Sequence, residues 1–244
     1  MKDQPNLFVF DTMEQVALAA AERFVDYSIA SIREHGSFAV ALAGGSTPRS
    51  AYELLGANEF KSRIDWPLVH LFFGDERMVP ADSAESNYRM VNDSLISRVE
   101  IPPGNVHRII CESTQSESAE LYEAELKRFF QSVDWPRFDL VLLGMGADGH
   151  TASLFRGSDA LKEEEKWVIA TRQPQTGKDR ITLSLPVINH ATRVAFVVTG
   201  NEKAATLARV WSSEQANEES PAQRVRPVNG ILEWLVDRAA ASKL

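Results

Sequence analysis

Three short, largely apolar runs, Phe38–Ala43, Val69–Phe73 and Asp139–Leu143, each end in a polar turn containing glycine. Strands without an outward polar face must be covered on both sides. Segments of helical period lie between them. Thr12 opens a helix with Gln15 three residues on, a capping-box pattern. Ala21, Val25, Ile29 and Ile32 then share one face, and Gly36 stands at the C-terminal stop. Further helices are expected through Tyr52 and Leu55, through Tyr88, Val91 and Leu95, and through Tyr122, Leu126 and Phe129. Trp167–Ala170, Ile181–Leu185 and Val194–Val198 read as strands. A helix carrying Lys203, Leu207 and Val210 follows Gly200, and a last helix is expected from Ile231 to Ala240. Strands alternating with helices predict an α/β chain with a mainly parallel sheet between helical layers. All 244 residues are read as a single domain (1–244). Ser212–Ser220 is polar and acidic and reads as a surface loop.

In open parallel sheets, ligands bind beyond the carboxyl ends of the strands. The three glycine-containing turns are therefore expected to converge on one site. The formal net charge of −8 argues against general nucleic-acid binding, which needs a basic face. It also means that an anionic ligand requires a local cluster of Arg and Lys. Cys111 is the one cysteine, so neither an intrachain disulfide nor a Cys-rich metal site can form. No window has the length and apolarity of a membrane span, and Met1–Phe10 lacks the apolar core of a signal peptide. The expected location is the cytoplasm.

Gly44-Gly45-Ser46-Thr47-Pro48 joins a strand to a helix. Its glycines allow close backbone approach, Ser46 or Thr47 can cap the helix, and the free amides there form an anion site. The Gly-Lys-Ser/Thr ending of a Walker loop is missing. A nucleophile elbow would need a glycine where Pro48 stands, so Ser46 is a weak candidate nucleophile. Asp75-Glu76-Arg77 follows the second run: its carboxylates can orient a proton carrier or serve as reserve bases, and Arg77 can meet an anion or a developing oxyanion. Gly144–Gly149 matches the dinucleotide fingerprint literally. The context opposes it, because the next strand ends in Thr171-Arg172 rather than the ribose-binding acid, and Asp148 would face the pyrophosphate. The stronger reading is Asp148-Gly149-His150, a histidine that can take a proton near neutral pH, two residues after a carboxylate that can set its tautomer. The histidines at 35, 70, 107 and 190 read as structural. Arg180 opens a strand. Lys203 stands in a first helical turn, where the helix dipole disfavours a cation unless an anion shares the site.

These segments together resemble the 6-phosphogluconolactonase family, within the glucosamine-6-phosphate isomerase/6-phosphogluconolactonase superfamily. The resemblance is carried by Ala43–Pro48, Gly74–Arg77 with Ser86-Asn87-Tyr88, Phe138–Phe155, Arg180–Asn189, Thr199–Ala204 and Pro221–Leu235. Gly144-Met145-Gly146-Ala147-Asp148-Gly149-His150-Thr151-Ala152-Ser153-Leu154-Phe155 is its most specific part. The resemblance implies a Rossmann-like α/β/α fold, hydrolysis of 6-phospho-D-glucono-1,5-lactone in the pentose phosphate pathway, and no required cofactor or metal. Combined with position, it makes His150 the general base on water, oriented by Asp148 or Asp75. Arg77 then stands at the carbonyl oxygen or holds substrate. The Gly45-Ser46-Thr47 turn, Arg180 and Lys203 take the phosphate. The implied partner is a small sugar-phosphate lactone, with neither nucleic acid nor membrane, and a monomer is compatible with it. Two rivals are a glucosamine-6-phosphate deaminase-like enzyme and a non-catalytic sugar-phosphate sensor. The deaminases carry Glu where this chain has Phe155, and Asp-Glu-Tyr where it has Asp75-Glu76-Arg77. The sensor reading expects loss of the histidine or the cations, and neither is lost. Arg156 departs from the lactonase pattern, in which Pro often follows the Phe.

Overall fold

A computed structural model describes residues 5–132, 134–212 and 220–244. The strands are β1 (Asn6–Phe10), β2 (Phe38–Leu42), β3 (Val69–Phe73), β4 (Asp75–Arg77), β5 (Val106–His107), β6 (Leu140–Leu143), β7 (Val168–Arg172), β8 (Asp179–Leu183), β9 (Arg193–Val198) and β10 (Ile231–Asp237). The α-helices are α1 (Met13–His35), α2 (Ser46–Leu55), α3 (Asn58–Lys61), α4 (Asn87–Ser94), α5 (Gln115–Phe130), α6 (Leu185–Asn189) and α7 (Ala204–Trp211). Seven strands form a parallel sheet in the order β1-β10-β9-β6-β2-β3-β5, flanked by helices in a three-layer α/β/α arrangement. The strand order turns back between β2 and β6: the chain runs from β2 outward to β3 and β5, then returns to β6 on the other side. That reversal opens a crevice beyond the strand ends, where open sheets of this class bind ligands.

The apolar runs are buried as their composition requires. Every residue of β2 and β6 is buried. Phe196 of β9 and Trp234 of β10 stack at 3.9 Å and 7° between planes. Thr12 accepts from the Gln15 amide, while the Gln15 side chain accepts from Asp11 rather than Thr12, so the capping box is only half formed. Gly36 ends α1 at φ 88°, a left-handed conformation that suits glycine.

The structure corrects three expectations. Ile231–Asp237 is a strand inside the parallel sheet, not the start of a helix. Its two acids, Glu233 and Asp237, are both buried and partnered. Glu233 accepts from Arg23 at 3.1 Å and from Tyr27 at 2.7 Å, and Asp237 accepts from the amides of Gly200 and Ala240. Asp75-Glu76-Arg77 is not a turn: it pairs antiparallel with β8, which pairs with β7, in a separate three-stranded sheet. Trp167–Ala170 and Ile181–Leu185 thus contribute to this small sheet, not to the parallel one. Within Met1–Phe10, residues Asn6–Phe10 form edge strand β1. The expected Ser212–Ser220 loop lies mostly outside the described residues, at 213–219.

Two buried tyrosines finish the central strands in the same way. The Tyr52 hydroxyl accepts from the Ala43 amide and donates to the Ala43 carbonyl, both at 3.0 Å. The Tyr122 hydroxyl does the same for Phe73, at 2.8 and 3.0 Å. The strand-end peptide groups, which a neighbouring strand would otherwise pair, are satisfied by side chains from α2 and α5. Among the described residues, no helix is long and apolar enough to cross a membrane.

Candidate active site

The turns after β2, β3, β6 and β9 meet over the crevice and enclose a cleft of roughly 410 Å³. Gly45, Ser46, Thr47, Asp75, Arg77, His150, Arg180 and Lys203 all line it. Asp148 stands behind His150 and is not itself a lining residue.

Segment 144–150 is shaped by its own hydrogen bonds. The Gly146 amide donates to the His150 carbonyl at 2.8 Å, and the Gly149 amide donates to the Gly146 carbonyl at 3.0 Å. Gly149 has φ 87°, and a Cβ there would lie 2.7 Å from Ser220 Cβ, so both conformation and space call for glycine. Asp148 Oδ1 accepts from the His150 amide at 3.1 Å and lies 2.5 Å from His150 Nδ1. Burial alone would raise the Asp148 carboxyl, but the charge and hydrogen bonds of His150 hold it below its ordinary value. An ionised Asp148 fixes the proton on Nδ1 and leaves Nε2 to take one. The space a Cβ would occupy at Gly146 is filled by this pair, 2.1 Å from Nδ1 and 2.6 Å from Asp148 Oδ1. No room remains there for the pyrophosphate of a dinucleotide.

His150 is not the one histidine beside a carboxylate. His35 meets Asp139 at 2.9 Å and His107 meets Glu125 at 2.6 Å. Neither lines the cleft. Position at the strand ends, rather than pairing, sets His150 apart.

The two acids after Phe73 serve the scaffold. Asp75 Oδ2 accepts from Ser153 Oγ at 2.6 Å, and Oδ1 accepts from Asn87 Nδ2 at 3.2 Å. It has no hydrogen bond to His150, so the orienting acid is Asp148. Glu76 accepts from the amides of Arg77, Asn87 and Tyr88 and from Ser86 Oγ. It anchors the start of α4, and its oxygens are fully used.

Cations enter from two walls. Arg77 and Arg180 are directly opposite each other on β4 and β8. Like charges so placed repel. Burial first, and then the charge of Arg77, push the Arg180 guanidinium below its ordinary value. Arg180 donates to Gln173 Oε1 at 3.1 Å, and Arg77 donates to the Glu85 carbonyl. On the other wall, Lys203 ends a 3₁₀ turn leading into α7. The N-terminus of α2 is capped by Gly45 at φ 107° with no side-chain hydrogen bond, so neither Ser46 nor Thr47 caps it. Thr47 instead meets the Thr199 hydroxyl at 2.7 Å, across the end of β6. The N-terminus of α2, where no side chain caps the first-turn amides, and Lys203 suit an anion. Ser46 has no hydrogen bond to His150, which leaves it without an activating base. Among the described residues, no group of three or more His, Cys, Asp or Glu side chains is placed to hold a metal ion.

Asn87, Gln173, Thr199, Ala152 and Phe155 also line the cleft, and the sequence reading gave none of them a role in binding. Ala152 has φ 46°, a left-handed conformation that is unusual without glycine. The Phe155 ring lies 5.0 Å from that of His150. Asn87 was approachable from sequence through its place after the Ser86 cap. Thr199 and Gln173 depend on tertiary contacts that no local pattern announces.

The family of glucosamine-6-phosphate isomerases/6-phosphogluconolactonase matches residues 11–234. A probable 6-phosphogluconolactonase 2 of Oryza sativa subsp. indica is 35% identical over 97% of this chain and 89% of its own. 6-phosphogluconolactonase 3, chloroplastic, of Arabidopsis thaliana is 36% identical over 100% of this chain and 76% of its own. The structure of 6-phosphogluconolactonase from Trypanosoma brucei superposes with a TM-score of 0.90 at 32% identity, covering 99% of each chain. A protein matched over nearly its whole length, with the same layered sheet and the Gly144–Phe155 segment at its switch point, is placed by these likenesses: the chain belongs to the glucosamine-6-phosphate isomerase/6-phosphogluconolactonase family.

Proposed function

We propose that this protein hydrolyses 6-phospho-D-glucono-1,5-lactone to 6-phospho-D-gluconate, a step of the pentose phosphate pathway, within one domain carrying one site. The observation that carries the reading is the Asp148–His150 pair, 2.5 Å apart, on the wall of a cleft that also holds Arg77, Arg180 and Lys203. His150 Nε2 takes a proton from water as the water oxygen attacks the lactone carbonyl. Collapse of the tetrahedral intermediate breaks the bond to the ring oxygen, which leaves as a hydroxyl with the proton returned by His150. Asp148 holds the ring and steadies its charged form. The phosphate lies at the Gly45–Thr47 turn with Lys203 and Arg180, and Arg77 faces the same anion or the carbonyl oxygen. A lactone is an activated ester, so the scheme requires no covalent intermediate. The test is a lactonase assay on freshly generated lactone, corrected for spontaneous hydrolysis. We place the protein in the cytoplasm: a single cysteine forms no intrachain disulfide, as suits a reducing compartment.

Phosphate recognition has a separate consequence. Lys203→Ala or Arg180→Ala weakens binding of the phosphorylated lactone by roughly 1.5–3 kcal/mol, the range for a lost charged hydrogen bond. Hydrolysis of unphosphorylated gluconolactone changes little. Equal losses on both substrates would show that these cations do not read the phosphate.

The deaminase reading meets a physical obstacle at Phe155. Where the deaminases carry Glu, this chain carries Phe155, whose ring lies 5.0 Å from that of His150 and offers no carboxylate. No ammonia is therefore expected from glucosamine 6-phosphate under conditions that hydrolyse the lactone. Ammonia release at a comparable rate would overturn the lactonase reading.

A further inference from the structure

Asn87 opens α4 and is 3% exposed, yet it lines the cleft. Its amide orientation is set by chemistry. Nδ2 donates to the Asp75 carbonyl at 2.9 Å and to Asp75 Oδ1 at 3.2 Å, and both partners are acceptors. The oxygen must therefore point the other way. There it takes the place a Cβ would have on Gly44, 2.1 Å from that position. No donor among the described residues reaches Oδ1. It is also not among the buried polar atoms left without a partner, so it opens to the cleft. The result is a fixed acceptor beside the Gly44-Gly45 turn, with its donor side fully used by Asp75.

An anion has no proton to offer this oxygen, so it does not read the phosphate. A neutral hydroxyl does. We propose that Asn87 Oδ1 accepts a hydrogen bond from one ring hydroxyl of the substrate, making Asn87 a specificity-determining residue for a polyhydroxylated lactone. Asp75 is then a positioning residue that holds the amide, which accounts for a buried carboxylate in the cleft wall with no contact to His150. Gly44 is required because any side chain there displaces the acceptor. The inference rests on the lactonase reading and adds how the sugar, as distinct from its phosphate, is recognised. A site that hydrogen-bonds a substrate hydroxyl discriminates against an analogue lacking it.

The experiment compares four 6-phosphogluconolactones: the parent and those lacking the hydroxyl at C2, C3 or C4. For the wild-type protein, kcat/KM is expected to fall by about tenfold or more on one deoxy lactone, the effect of one lost hydrogen bond that leaves a polar partner unpaired. Asn87→Ala lowers the parent lactone by a similar factor, with no further loss on removing that same hydroxyl. Gly44→Ala, which moves the oxygen without deleting it, gives the same pattern and decides the matter if Asn87→Ala does not fold. A uniform loss on all four lactones would reduce Asn87 to a scaffold residue, and no loss on the parent would remove it altogether. A wild-type protein that hydrolyses none of the four refutes the lactonase reading itself and the inference with it, an outcome distinct from either of those.

Discussion

Replacing His150 with Ala lowers turnover by about 10²–10⁴-fold, the range for a positioned proton carrier. His150→Asn does the same, because an amide can hydrogen-bond but cannot take the proton. Binding of 6-phosphogluconate survives in both, since the cations proposed to hold its phosphate come from other segments. A general base works in its neutral form, so on the proposed mechanism the wild-type rate is expected to fall in acid. Asp148 is the poorer source of such a loss, because its carboxyl is held below the ordinary carboxylate value. The acid limb therefore reports the ring, and it disappears in His150→Asn. The measurement is kcat against pH beside calorimetric binding of the product, with folding checked by circular dichroism. Near-normal turnover in a folded His150→Ala protein would remove His150 from the mechanism. Of the acids after Phe73, Asp75, which lines the cleft, would then be the base to test, whereas Glu76 is saturated by the start of α4.

Gly146→Ala is expected to lower kcat by about 10²-fold, the scale of a misplacement near 1 Å in a catalytic group. The new Cβ would stand 2.1 Å from His150 Nδ1, 2.2 Å from Cε1 and 2.6 Å from Asp148 Oδ1, so the pair must move. Gly146 is not among the residues of positive φ, and its backbone accepts alanine without strain. The loss is therefore catalytic, and the thermal midpoint and product affinity stay close to wild type. Gly149→Ala is the contrasting control. Its left-handed backbone and its approach to Ser220 make that change a destabilising one. A Gly146→Ala enzyme within a few-fold of wild-type kcat would mean that the ring position relative to Asp148 is not what sets the rate.

The parallel sheet was legible because apolar runs such as Phe38–Ala43 and Val194–Val198 have no polar face to offer water. The site's location followed from the same pattern, since strand ends in such sheets face the ligand crevice. What misled was charge inside strands. Nothing local marks Glu233 and Asp237 as strand residues, because their partners, Arg23 and Tyr27 in α1 and the Gly200 amide, are distant in sequence. Asp75-Glu76-Arg77 suggested a turn because three charges seldom make a strand. They do here because β8 supplies the pairing and α4 takes up Glu76. Division of labour among the acids was likewise out of reach. Asp148 lies within two residues of its partner and could be read locally, whereas the commitment of Asp75 to Ser153 spans 78 residues.

The paired tyrosine hydroxyls also bear on how freely the cleft can diversify. Ala43 and Phe73 are the last residues before two of the turns that form it, and their peptide groups are closed off from within by Tyr52 and Tyr122. The amide and carbonyl of Ala43 and of Phe73 find partners in helices rather than in the turns above them. Loops lengthened or rewritten at these two places leave those peptide groups partnered as long as Tyr52 and Tyr122 keep their places and the Gly74 amide still donates to the Leu42 carbonyl. Change in substrate preference is thereby uncoupled from the integrity of the sheet, so that one scaffold can carry different chemistries at its rim.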